Sequence, residues 1–138
     1  MSAMARRPMP ALATTIAFID SINSTDLARL TALMHPDHRL LVLAEPPLVG
    51  RHANVEAWRG YFTAYPRYVI YPRFLTTTAD RVAVLGNTTG SHLNLADEDE
   101  LKLNVVWIAE SVHGLVTLWQ VCDDTPALRR ELGIPATV

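Results

Sequence analysis

"LKLNVVWIAESVHGLVTLWQVCD", residues 101–123, decides the fold. Two runs rich in β-branched and aromatic residues flank the short turn "SVHG". Such runs form strands, and a connection of that length joins antiparallel neighbours. The reading predicts strands over 101–110 and 114–123. Upstream, "RVAVLGNTTGSHLNL" (81–95) and "RYVIYPRFL" (67–75) have the same character, with the acidic "ADEDE" between the second and third strands of the four. The expectation is therefore a meander of four strands in which 81–95 and 101–110 form one long hairpin. A three-residue loop at 97–99 would place residue 95 opposite 101, and His92 opposite Asn104. Pro72 suits an edge or a bend, because it donates no ladder hydrogen bond.

Helices precede the meander. Leu12, Ile16 and Ile19, with Phe18 and Ile22 alongside, predict an amphipathic helix over roughly 10–22. "STD" at 24–26 offers an N-cap for a short helix carrying Leu27, Leu30 and Leu33 or Met34, which Pro36 stops. "RLLVLAE" (39–45) reads as a buried strand and "EPPLVG" as a turn. Asn54 is expected to cap a third helix over 55–64, with Val55, Trp58, Phe62 and Tyr65 on one face. At the far end, Thr125 caps a short helix with Pro126 in its first turn and Gly133 beyond its last. Helices followed by one antiparallel sheet make an α+β domain. The expected division is a flexible tail over 1–10, one domain over 11–134 and a short tail over 135–138.

Composition narrows the function. Hydrophobic residues make up 49% and charged residues 19% of 138, which suits a compact domain with a real core. A net charge of -2 without a basic stripe argues against nucleic acid as a partner. No apolar run nears the ~20 residues of a membrane span, so no membrane partner is expected. The single cysteine, Cys122, excludes an intrachain disulfide and fits the cytoplasm.

The element order resembles the nuclear transport factor 2-like fold, a cone in which a curved sheet wraps around helices. Residues 11–134 carry that resemblance. "GR" at 50–51, "GSH" at 90–92, "HGLVTLWQVCDD" at 113–124 and "LG" at 132–133 resemble the SnoaL-like group within it. The resemblance implies a polyketide-cyclase-like pocket with the histidine of a Gly-Thr-His stretch on its wall, a match that falls on His92. The carboxylate such cyclases place on the next strand has no counterpart, since the position is Val105, Val106 or Trp107. The oxyanion-hole groups of ketosteroid isomerase fall on Phe18 and about Val105, which have no donating side chain; "EP" at 45–46 could stand for its general base. The epoxide hydrolase arrangement is not recognisable.

These residues set the candidate site. His92 and Glu45 are the acid–base candidates, without cofactor or metal. Asn104, Tyr61, Tyr65, Trp58, Trp107 and Trp119 are candidate ligand contacts. The tryptophans read first as core and second as pocket lining, and His92 reads equally as an outer-face residue at a dimer contact, since Leu93, Leu95, Leu101 and Leu103 look like the buried set. "HPDH" (35–38) offers two histidines but no third metal ligand. Asp123 and Asp124 read as capping residues and partners of Arg129 or Arg130. Two function classes stand. One is a cofactor-independent isomerase, dehydratase or cyclase acting on a small apolar or aromatic compound. The other is a non-catalytic ligand-binding or homodimerising module.

Overall fold

The computed structural model describes residues 9–138; residues 1–8, most of the expected N-terminal tail, lie outside the described residues. The order is α1 (Ala11–Asn23), α2 (Leu27–Ala32), β1 (Met34–Val42), β2 (Leu48–Val49), α3 (Arg51–Ala64), β3 (Val69–Thr78), β4 (Arg81–Thr89), α4 (Asp97–Glu100), β5 (Val105–Val112), β6 (Leu115–Asp123) and α5 (Pro126–Leu132). One curved, unclosed sheet runs β2-β1-β6-β5-β4-β3. Every pairing is antiparallel except β1 with β6, which is parallel.

Alternation along the central strands splits their side chains between two cores. Val82, Val84, Trp107, Ala109, Val116 and Trp119 face α1 to α3 and meet Phe18, Ile22, Leu30, Trp58 and Phe62. Ala83, Leu85, Val106 and Ile108 face the other way and are covered by Leu132 and Ile134, from α5 and the residue just beyond it. The buried face of α1 differs from the expected one. Leu12 and Ile16 are exposed, while Thr14, Thr15, Phe18, Ser21 and Ile22 are buried. Small hydroxyl residues fit against the sheet because they donate back to nearby carbonyls, as Thr15 does to Ala11 and Ser21 to Ala17 within the helix. At the end of α1 the Asn23 amide both donates to and accepts from the Ile70 backbone, tying the helix to β3.

Local chemistry explains several boundaries. Asp26 caps α2 by accepting from the Arg29 amide, and Thr125 caps α5 by accepting from the Leu128 amide. Gly133 ends α5 in the left-handed region at φ 74°. Asn54 is not the cap of α3. The helix begins three residues earlier, at Arg51, and the buried Asn54 amide donates to the carbonyls of His38, Leu48 and Gly50. β1 starts at Met34 rather than 39, so "HPDH" is strand, with a bulge where the register against β6 shifts.

The outer core is pinned by ions. Arg129 binds Asp124 through two nitrogens at 2.7 Å each and donates to the backbone oxygens of Pro135 and Val138. Residues 135–138 are thus held to α5. The Arg129 guanidinium, through these hydrogen bonds, holds the Asp124 carboxyl below the usual carboxylate range.

Candidate functional site

The long hairpin that would have placed His92 opposite Asn104 does not form. β4 ends at Thr89, β5 begins at Val105, and their last rung is Gly86 with Val105. Between them the chain turns at Gly90 and makes one helical turn, α4. The physical reason is Gly90. Its φ is +70°, and a Cβ there would lie 2.5 Å from the Arg67 carbonyl oxygen. Only glycine fits, and its left-handed conformation turns the chain out of the ladder. Leu93, Leu95, Leu101 and Leu103, expected to be buried, are all exposed at 42–48% because they belong to this excursion and not to a sheet face.

His92 and Asn104 consequently lie on different sides of the sheet. Asn104 joins the outer-face network: its oxygen accepts from Arg73 and Asn87, and its amide donates to Asp124. His92 is exposed and meets α3. Its Nδ1 lies 2.9 Å from the Tyr61 hydroxyl, and its backbone N–H donates to the same oxygen at 3.2 Å. Tyr61 can therefore serve either imidazole tautomer. Giving its proton to Nδ1 leaves an N–H at Nε2; accepting from Nδ1–H leaves a lone pair there. Burial foremost, partly offset by the His92 amide, holds the Tyr61 phenol above its ordinary pKa, so it stays a neutral hydroxyl.

Around this pair stands a cluster of rings. Tyr65 and Tyr68 flank Tyr61 at centroid distances of 4.7 and 5.0 Å, and Tyr65 also approaches the His92 ring at 6.2 Å. The i, i+4 spacing on α3 sets Tyr61 against Tyr65 with tilted rings, and Trp58, three residues back, meets Tyr61 edge-on. Tyr68, expected at the surface or an edge, packs instead against the inner core. Burial, then the neighbouring Tyr61 and Glu100, pushes its phenol far up.

Glu100 is the residue that sequence reasoning missed. It is 1% exposed, yet belongs to the acidic run Asp97–Glu100, whose other members are exposed. One carboxylate oxygen accepts from the Thr88 hydroxyl and the other from the Ser91 amide at 3.4 Å. No signal in "ADEDE" singles it out, because its burial comes from β4 folding over it.

Glu45, the other acid–base candidate, is exposed in the turn after β1, and among the described residues it has no side-chain bond to the Tyr61–His92 pair. Trp107 and Trp119 are 1% exposed and Trp58 is 8% exposed; all three fill the inner core. A cleft of about 390 Å³ opens elsewhere, lined by Asp124, Pro126, Arg129, Arg130, Ile134 and Ala136. Among the described residues no group of three or more His, Cys, Asp and Glu could hold a metal ion.

A family profile described as "SnoaL-like domain" matches residues 15–119, most of the chain and nearly all of α1 through β6. The chain belongs to the SnoaL-like domain family. Solved structures agree on the fold of this SnoaL-like protein. TerC, co-crystallised with polyporic acid, superposes with a TM-score of 0.68 at 20% identity, covering 90% of this chain and 98% of its own. A nuclear transport factor 2-like protein of unknown function from Burkholderia pseudomallei gives 0.65 at 16% identity, covering 88% and 96%. A computationally designed 17-OHP binder gives 0.64 at 13% identity, covering 85% and 92%. No curated protein sequence matches the chain. The SnoaL-like assignment explains why α1 to α3 fill the concave side of the sheet.

One interior group gives a pH prediction. His38 is fully buried, with Nδ1 donating to the Val116 carbonyl at 2.7 Å and Nε2 without a partner. Burial, the largest cause, depresses its pKa below 6.5, outweighing the Val116 bond. A depressed basic group favours the neutral fold. Its contribution is complete above the unfolded value of roughly 6.5 and is lost as pH falls below that toward the folded pKa. Urea-unfolding stability of the wild type should therefore decline, as pH falls below about 6.5, more steeply than that of His38→Gln. Parallel profiles would rule the account out.

Proposed function

We propose that this SnoaL-like protein binds a small apolar or aromatic molecule bearing a carbonyl or hydroxyl at the rim formed by Tyr61, Tyr65 and His92. The observation that carries the reading is the Tyr61 hydroxyl bonded to both the ring and the backbone of His92. A ligand ring would lie on the Tyr65–His92 aromatics, and its polar tip would meet His92 Nε2. Because Tyr61 can donate or accept, Nε2 can give a proton to a carbonyl or take one from an adjacent carbon. That supports a cofactor-independent isomerase, dehydratase or cyclase type of chemistry. TerC, co-crystallised with polyporic acid, and the designed 17-OHP binder share this fold and support a small-molecule ligand. Glu45 stays a candidate base only if the turn carrying it closes over the rim. Working in the cytoplasm as a homodimer completes the reading, and light scattering on the purified protein tests the dimer.

Acetophenone tests the chemistry, since general-base catalysis exchanges its methyl protons with D2O. Wild-type protein should accelerate the exchange by roughly 10²–10⁴-fold over buffer, and His92→Ala should abolish that gain. The filled inner core favours a second, binding-only reading. It predicts that acetophenone shifts the His92 and Tyr61 NMR signals without any exchange. No shift at all would remove the rim as a ligand site.

A further inference from the structure

A phenol oxygen can donate one hydrogen bond and accept two. In Tyr61 the His92 backbone N–H, at 3.2 Å, fills one acceptor place whatever the state of the ring, because an amide N–H only donates. The ring Nδ1, at 2.9 Å, takes a second place, as donor or as acceptor. The third place has no partner among the described residues, and both bonds lie at the exposed side of the pair. What that third place offers follows from the tautomer. With the proton on Nδ1, the ring donates to Tyr61, the hydroxyl turns its own proton outward, and Nε2 holds a lone pair. With the proton on Nε2, the hydroxyl gives its proton to Nδ1 and shows a lone pair outward, while Nε2 is a donor. The rim therefore presents one donor and one acceptor in either state, and a change of tautomer exchanges them.

We infer that Tyr61 and His92 form a two-proton relay that interconverts the keto and enol forms of a carbonyl compound, with the Tyr61 hydroxyl as a second catalytic group beside His92. Nε2 takes the proton from the carbon next to the carbonyl, and the freed electron pair becomes the C=C bond. The carbonyl π pair takes the Tyr61 proton, and Nδ1 hands its own proton to the Tyr61 oxygen. The product is a neutral enol, and the pair is left in its other tautomer. The same steps run backward return the ketone and restore the first tautomer. No group ends charged, so an exposed rim has neither an enolate nor an imidazolium to stabilise. That is how the site works without the partner carboxylate that Val105, Val106 and Trp107 do not supply. Tyr61 has its proton to give because burial keeps the phenol neutral. The substrate class narrows to compounds whose carbonyl oxygen and adjacent C–H lie on one edge. The inference rests on the rim being the ligand site.

Acetophenone tritiated on its methyl group provides the test, with release of tritium into the solvent as the readout. Both relay protons exchange with solvent, so release by the wild type should slow in D2O. Plotted against the deuterium fraction, on the flat part of the pH profile, the rate should bow below a straight line, the mark of more than one moving proton. Tyr61→Phe keeps the ring and breaks the relay. It should lose roughly tenfold or more of the rate and show no slowing in D2O. Equal wild-type rates in H2O and D2O, or a straight line between them, overturn the relay alone and leave His92 a lone base at a standing site, whether or not Tyr61→Phe folds. So does a folded Tyr61→Phe with the full wild-type rate. No release above buffer by the wild type overturns the catalytic reading of the rim and takes the inference with it.

Discussion

Trp119→Ala is expected to lower the unfolding free energy by about 3–5 kcal/mol. The ring is 1% exposed, 5.1 Å from Phe18 and 6.3 Å from Trp107 between centroids. Its strand neighbours Ala109 and Leu40 leave it walled on both sides. Deleting an indole from such a site removes the transfer energy of the ring and leaves a void that two flanking strands cannot close. The size of the loss separates two roles assigned to this residue from sequence. A tryptophan lining a ligand hollow already has empty space on one side, so its truncation would cost roughly 1–2 kcal/mol. Urea melts of the variant decide the matter: a shift in midpoint at unchanged slope reads the stability change directly. A loss near the lower range would mean that the concave side is open enough to admit a ligand, and the proposed site would move inward from the rim.

Gly90→Ala should be nearly as damaging to the fold and more damaging to the site. The added methyl must escape a backbone oxygen 2.5 Å away, and backbone cannot swing aside as a side chain can. Alanine also resists the positive φ, at about 1–2 kcal/mol before any clash is counted. A total near 2–4 kcal/mol follows, the range of strained backbone positions. The strain is next to Ser91 and His92, so relief would come from unlatching the turn. The expected result is loss of the Tyr61–His92 contact, read as a shift of His92 ring signals toward those of a free imidazole, together with the lower melting point. A variant that kept both wild-type signals and stability would contradict the geometry given for this turn.

The legible parts of the molecule were those whose chemistry is local. Thr125, Pro126 and Gly133 announce α5 because a cap, a first-turn proline and a left-handed glycine each act within a few residues. Asp124 with Arg129 was readable for the same reason of proximity. The excursion at 90–104 was not. Leu93, Leu95, Leu101 and Leu103 alternate as a half-buried hairpin would, and period two is the strand signal; the pattern carries no mark that Gly90 has left the ladder. The family resemblance points to His92 as a candidate, but the partner expected for it, Asn104, lies elsewhere, and the residue that meets its ring is Tyr61, from a helix 31 positions earlier. Glu100 was invisible for a deeper reason. An acidic run reads as solvated, and only tertiary contact with Thr88 distinguishes one member from the other three.

The parallel seam between β1 and β6 bears on how this chain comes off the ribosome. His38 donates from its ring to the Val116 carbonyl, 78 positions later, so the strand bearing it stays incomplete until β6 has been translated. Antiparallel neighbours β3, β4 and β5 can zip as they emerge, whereas the first strand waits with one margin bare. During that wait the margin is a template for stray pairing, and a nascent chain stalled before β6 is the species that chaperones would have to guard.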